Sequence, residues 1–146
     1  MDGMSFDPLR LENQLCFPLY ACAREVVKKY KPFLDAIDLT YTQYVTMMVL
    51  WEESETTSKA IGERLYLDSG TLTPVIKKLE EKGLVTRRRS PEDERNLVVT
   101  ITEAGRALRA RAVDIPEQVG RCMAITPQEA GTLYQLLYKL LEGISE

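Results

Sequence analysis

The feature that most constrains this chain is the change of period at Gly83. Across residues 71–82 apolar side chains recur at helical spacing, at Leu72, Val75, Ile76 and Leu79. Beyond Gly83, residues 84–89 and 97–101 read instead as two strands on either side of a polar turn, Ser-Pro-Glu-Asp-Glu-Arg-Asn. Gly83 suits the left-handed position that stops a helix, and Leu84 can then touch Leu79 as a Schellman cap prefers. Ahead of this helix, residues 58–65 form a shorter one with Ile61 and Leu65 a turn apart. The link, Leu67-Asp68-Ser69-Gly70, is turn chemistry in which Asp68 or Ser69 can cap. Pro74 is tolerated near a first turn, which sets the start of the second helix at about Thr71. Two helices joined by a tight turn and followed at once by a two-stranded wing make a winged helix-turn-helix.

The remainder reads as helices around that lobe. Helical spacing from Leu15 to Phe33 gives a first helix, with Lys31-Pro32 marking its approaching end. Thr40 and Gln43 fit a capping box for a helix over 41–53, whose Tyr44, Met47, Met48, Leu50 and Trp51 wrap most of the way round and make it central. Thr102 caps a helix that bends near Ile115-Pro116. Thr126-Pro127-Gln128-Glu129 is a second capping box, opening a helix with Leu133, Leu136, Leu137, Leu140, Leu141 and Ile144 on one face. The expected fold is mainly α with a small β-hairpin wing, an α+β chain forming one domain over 1–146. Its DNA-binding lobe spans about 58–101, and dimerisation helices span about 10–35 and 103–146, since the first and last apolar faces find no partner in so small a lobe.

Composition narrows the chemistry. The chain has no histidine, which removes Ser-His and Cys-His nucleophile pairs and most zinc and haem sites. Its three cysteines, Cys16, Cys22 and Cys122, are an odd number and make neither a disulfide framework nor a metal site. No cofactor, metal or enzyme activity is expected. No apolar run is long enough for a bilayer, and the acidic start lacks a signal-peptide pattern, so a cytoplasmic protein is expected.

A net charge of −3 conceals one basic segment. Residues 77–90 set Lys77, Lys78, Lys82, Arg87, Arg88 and Arg89 against Glu80 and Glu81, a local +6 − 2 = +4. Alone, such a run is more often a solvated face. Placed on a wing after a helix-turn-helix, it reads as a contact to double-stranded DNA. Ser69, Thr71, Thr73, Lys77 and Lys78 lie off the apolar stripe, where short polar and basic side chains reach bases and phosphates. Arg87, Arg88 and Arg89 follow on the wing, and Arg95 at its tip could enter a minor groove with Asp93 orienting its guanidinium. A two-fold homodimer would read a pseudo-palindromic site.

The stretches Leu65-Tyr66-Leu67-Asp68-Ser69-Gly70-Thr71-Leu72-Thr73-Pro74, Gly83-Leu84-Val85 and Asp93-Glu94-Arg95 resemble the MarR family of winged-helix regulators. With Gln14-Leu15-Cys16-Phe17, Tyr30 and Leu39-Thr40-Tyr41 they resemble its branch of organic hydroperoxide-sensing repressors. The resemblance implies a dimeric repressor whose reactive thiol is Cys16, hydrogen-bonded by Tyr30 and Tyr41, with oxidation releasing DNA. It also implies Cys122 as a resolving thiol in members that use a second cysteine. Pro18 and Thr42 depart from the commonest pattern, where an aliphatic residue and a proline are usual.

Cys16 supports that role from its own position. Pro18 lacks a backbone donor, so a helix can begin close to Cys16, and a helix N-terminus favours the thiolate in which cysteine reacts. Tyrosine hydroxyls would act in the same direction. Leu15 and Phe17 give an apolar surround suited to organic peroxides. Four alternatives stay open at this point: Cys16 as buried filler, a repressor released by an aromatic ligand, a thiol peroxidase, and a protein-interaction module. Cys22 points to another face of its helix and reads as structural.

Overall fold

The computed structural model describes residues 6–92 and 95–145. A 3-10 turn, Leu11–Asn13, leads into α1 (Cys16–Asp35) and α2 (Tyr41–Glu53). The lobe that follows consists of β1 (Glu55–Thr57), α3 (Ser58–Leu65), α4 (Ser69–Glu81), β2 (Val85–Arg89) and β3 (Leu97–Ile101). The chain closes with α5 (Glu103–Ala112), α6 (Ile115–Gly120) and α7 (Pro127–Ile144). This is the mainly helical winged-helix fold that the sequence leads one to expect. No helix among the described residues is long and apolar enough to cross a membrane.

The punctuation is where the residues put it. Thr40 and Gln43 cap α2 reciprocally, as do Thr126 and Glu129 for α7. Gly83 takes φ +77°, and the N–H groups of Gly83 and Leu84 donate to the carbonyls of Glu80 (2.9 Å) and Leu79 (3.0 Å). Those two bonds are the Schellman pair.

Four local expectations change. The wing hairpin gains a third strand: β1 pairs antiparallel with β3, giving the order β1-β3-β2 with Thr56 opposite Val99 and Arg87 opposite Val99 on the other side. Three residues are too few to show a period of two. Helix α1 runs through Pro32 to Asp35, because the carbonyl that loses its intrahelical donor belongs to exposed Lys28. It stops instead at left-handed Asp38 (φ 54°), where the Leu39 N–H returns to the Leu34 carbonyl at 3.0 Å. Helix α4 begins at Ser69, two residues before Thr71, and holds Pro74 inside; the carbonyl it leaves unbonded is that of exposed Gly70. Finally, the expected bend near Pro116 is a break. Helix α5 ends at Ala112, and Pro116 occupies the first turn of a separate α6.

Helix α2 is the centre. Tyr44, Met47 and Leu50 are fully buried, and α1, α3, α4, α5 and the sheet all pack on it. Ile61, Leu72, Ile76, Leu79, Val85, Val99 and Ile101 complete the core under the helix-turn-helix and wing. In contrast, α7 buries no residue, and the first turns of α1 leave Leu15, Phe17 and Tyr20 exposed.

One joint ties core, wing and α5 together. The Trp51 indole N–H donates to the Gly105 carbonyl (2.8 Å). The Thr102 hydroxyl accepts from the Gly105 N–H (3.1 Å) and donates to the Gly83 carbonyl (2.6 Å). A Cβ on Gly105 would overlap the Leu84 carbonyl oxygen and lie 2.7 Å from Ile101 Cγ1. Gly105→Ala should therefore lower the unfolding free energy by about 3 kcal/mol in urea titrations, the upper range for overpacking. Gly131→Ala, whose Cβ meets open space on α7, should be neutral or stabilising by up to about 1 kcal/mol.

Candidate nucleic-acid interface and thiol site

Helix α4 presents two faces by its spacing. Leu72, Ile76 and Leu79 are buried, while Ser69, Thr71, Thr73, Lys77 and Lys78 face outward. The start of α4 and the wing tip converge on one open cleft of about 830 Å³, lined by Lys59, Asp68, Ser69, Thr73, Arg95 and Asn96 among others. Lys59 and Asn96 carry no signal in the sequence; the packing of α3 beside α4 and the return of the wing bring them here. The Thr71 hydroxyl donates to Asp68 Oδ1 at 2.5 Å, and this bond holds the Asp68 carboxyl below its usual value. The Thr73 hydroxyl donates to the Ser69 carbonyl at 2.7 Å. Both threonines thus leave methyl groups and acceptor lone pairs for a ligand, with their protons already engaged.

The basic segment divides its charges. Lys82 turns inward, bonding Gln43 Oε1 at 3.0 Å and the Asp38 carbonyl, so it ties α4 to the α1–α2 turn. Arg87 is half-buried against Glu80: its Nε donates to Oε1 at 3.1 Å, and its backbone N–H donates to Oε2 at 3.0 Å. This clamp fixes the first wing strand to α4. Arg88 reaches Glu55 on β1 at 3.3 Å, and Glu55 also accepts from the Thr100 hydroxyl at 2.8 Å. Lys78 pairs with Glu81 at 3.4 Å. Arg89 and Arg95 are exposed, and Lys77 is exposed on α4. Asp93, expected to orient Arg95, lies outside the described residues.

The thiol site is only half assembled. Cys16 is the first residue of α1, and Pro18 is its third, where a missing N–H removes no intrahelical bond. That accounts for the tolerance of Pro18. The preceding loop is hydrogen-bonded into place, with Gln14 Nε2 donating to the carbonyls of Pro8 (2.7 Å) and Arg10 (2.8 Å). All three cysteines are exposed, so Cys22 is no core filler within the chain. Cys122 follows α6, its thiol donating to the Gln118 carbonyl at 3.6 Å.

Tyr30 and Tyr41 stack with ring centroids 4.9 Å apart, and Tyr44 joins them at 5.7 and 6.1 Å. Burial raises all three phenols, Tyr44 to about 12 with Tyr30 and Tyr41 adding to the effect. The Tyr44 hydroxyl is buried with no hydrogen-bond partner among the described residues. Cys16 stands apart from them. It lies fourteen residues before Tyr30 on the same helix, a separation of about 21 Å at 1.5 Å per residue.

Residues 28–111 match the family described as Transcriptional regulator SarA/Rot. The chain is 50% identical over 144 residues to the organic hydroperoxide resistance transcriptional regulator of Bacillus subtilis (strain 168), covering 97% of this chain and 96% of that one. It belongs to this family of winged-helix transcriptional regulators. Reduced AbfR bound to DNA has 34% identity to this regulator and a TM-score of 0.78, over 94% of this chain and 96% of AbfR. AbfR, from Staphylococcus epidermidis, also matches as the overoxidised protein bound to DNA (TM-score 0.76) and as the disulfide-formed protein (0.65). A MarR-family regulator of Rhodococcus sp. RHA1 shares the fold at a TM-score of 0.78 and 23% identity, over 90% of this chain and 95% of that one. The Bacillus and Rhodococcus relatives are regulators of transcription.

The Glu80–Arg87 clamp gives a testable consequence for the regulator. Hydrogen bonds from Arg87 hold the Glu80 carboxyl below its usual 4.5. A depressed folded value means that its contribution is complete above the unfolded value and disappears as the pH falls through the folded one. Hydrogen exchange in Val85–Arg89 should quicken relative to the α2 core on acidification below 4.5, and Glu80→Gln should lose that pH dependence.

Proposed function

We propose that this regulator is a dimeric repressor that binds a pseudo-palindromic operator and releases it when an organic hydroperoxide oxidises Cys16. The observation that carries the DNA half is the shared cleft in which Arg95 of the wing meets Ser69 and Thr73 of α4. A rod of B-form DNA would take α4 in its major groove and the wing tip in the adjoining minor groove. Ser69, Thr71 and Thr73 face bases; Lys77, Lys78, Arg88 and Arg89 face phosphates. Arg87 serves by fixing the wing.

The sensing half rests on the helix geometry of α1. Cys16, Tyr20, Ala23, Val27, Tyr30 and Leu34 follow one another at three- and four-residue steps and form a single stripe. Cys16 stands at one end and Tyr30 one turn from the other. Two copies related by a two-fold axis with their α1 helices antiparallel would set each Cys16 beside the other copy's Tyr30 and Tyr41. The exposed Leu15, Phe17 and Tyr20, with the apolar outer face of α7, supply the surface such a dimer needs to bury. The thiolate would attack one peroxide oxygen, forming the S–O bond as O–O breaks; the alkoxide leaves and takes a proton, giving a sulfenic acid and an alcohol. Attack by the Cys122 thiol on that sulfur would give a disulfide and water. The reduced, overoxidised and disulfide-formed states in which AbfR is known support a thiol at the centre of the switch.

Cys16→Ser should bind a duplex selected by the wild-type protein as tightly as wild type does, yet stay bound when cumene hydroperoxide is added; release of that variant would place the sensor elsewhere. Arg95→Ala should weaken binding to the selected duplex by at least tenfold, about 1.4 kcal/mol. Lys77→Ala should weaken all sequences alike and reduce the salt slope by about one. Salt-titrated fluorescence anisotropy reads both.

A further inference from the structure

The leading edge of α4 is rich in hydrogen-bond acceptors and poor in free donors. The Thr71 proton is committed to Asp68 Oδ1 and the Thr73 proton to the Ser69 carbonyl, so both hydroxyls are left as acceptors. Asp68 adds an ionised carboxylate, which can only accept. It immediately precedes α4, is exposed, and lines the cleft of about 830 Å³ together with Ser69, Thr73 and Arg95. Glu63 lines that cleft too, but from α3.

Asp68 is not used as an aspartate at this position ordinarily is. Such a residue caps its helix by accepting from a backbone N–H, and here no cap bond of that kind forms. The Thr71 hydroxyl takes Oδ1 instead, at 2.5 Å, and holds the group in place. Among the described residues no lysine or arginine pairs with it, although Lys59 lines the same cleft. Gly70 keeps the other oxygen approachable. Its backbone is not left-handed, so conformation does not require glycine there; the atom that a Cβ would meet is Asp68 Oδ2, at 3.2 Å. A carboxylate has about four lone-pair sites, so acceptor capacity remains once Thr71 has bonded Oδ1.

What such a group can meet on DNA is narrow. Phosphates offer it negative charge, and deoxyribose has no 2′-hydroxyl to donate. In the major groove the donors are the N4 amino group of cytosine and the N6 amino group of adenine. Adenine carries the N7 lone pair on the same edge, which repels a carboxylate; cytosine has a C5–H there.

We propose that Asp68 is a specificity-determining residue of α4, accepting a hydrogen bond through Oδ2 from the N4 amino group of a cytosine in each operator half-site. This rests on the reading of the chain as an operator-binding repressor. Guanine or thymine at that position would turn keto oxygens toward the carboxylate and be rejected. The same charge opposes the phosphates, so Asp68 weakens binding to every sequence while it selects one base.

The test uses the full-length reduced protein and a duplex selected from a random library by wild type, with each position then changed to every other base pair. Wild type should prefer cytosine over guanine or thymine by about tenfold at one position of each half-site, the discrimination that a good base contact supplies. Asp68→Asn, whose amide can donate to a keto oxygen, should cut that preference below about threefold and leave preferences elsewhere within about twofold. It should also bind an unrelated duplex at low salt about twofold more tightly. Asparagine and serine both cap helices well, so thermal denaturation should match wild type for Asp68→Asn and for Asp68→Ser, a second variant too short to reach the base, which should lose the same preference. Unchanged base preferences in both folded variants, a loss shared equally by all sequences, or a relaxed position at which wild type had selected guanine or thymine would each overturn the proposal. Adenine at the relaxed position would overturn the assignment to cytosine. If wild type selects no duplex at all, the operator reading fails and this proposal falls with it.

Discussion

Everything in this regulator is hung on the burial of α2. Tyr44, Met47 and Leu50 are sealed from water on a helix only thirteen residues long, and Val49 closes another side. Burying such side chains is worth about 1.5–3 kcal/mol each, which holds the helix firmly in the core. Both ends of it are used. At its start Tyr41 stacks on Tyr30 of α1, and near its end Trp51 bonds the Gly105 carbonyl while Glu52 holds Arg64. The candidate thiol-sensing tyrosines and the root of the helix-turn-helix are thus fixed to the same rigid body.

Around that body the ionic groups position the DNA-reading parts without themselves being the reader. Exposed pairs such as Arg88–Glu55 contribute at most about 1 kcal/mol each. Their effect is geometric: Glu80 receives both the side chain and the backbone N–H of Arg87, and Lys82 joins α4 to the α1–α2 turn. Lys82 and Arg87, two of the six cations in residues 77–90, are therefore scaffolding. The outward cations on α4 and the wing lie where that scaffolding aims them.

The two terminal helices invert the usual relation between apolarity and burial. Helix α7 is rich in leucine and buries none of it, and α1 keeps only Leu34 fully covered. Contiguous exposed apolar surface of this kind marks an interface. It also fits the proposed dimer, in which a site divided between the ends of α1 would be completed by the second copy's helix, so that chemistry at the sulfur would act on how two copies are held together.

Much of this was legible in the residues. The helix stop at Gly83, the reciprocal caps at Thr40 and Thr126 and the change of period into the wing are local, and local rules decide them. The outward side of α4 followed from the spacing of Leu72, Ile76 and Leu79. The third strand Glu55–Thr57 was not legible, because three residues carry no period and the pairing depends on β3 lying beside them. Nor were the partners of Lys82, Arg87 and Arg88, since glutamates and carbonyls that are distant in sequence become neighbours only through packing. Pro32 and Pro74 read as boundaries and became interior residues because their orphaned carbonyls face solvent. By itself the sequence determined most of the helices, their caps, the wing hairpin and the candidate thiol to be tested. Only the tertiary structure decided that Lys82, Arg87 and Arg88 are engaged within the chain while the apolar faces of α1 and α7 stay uncovered, because those contacts join residues far apart in sequence.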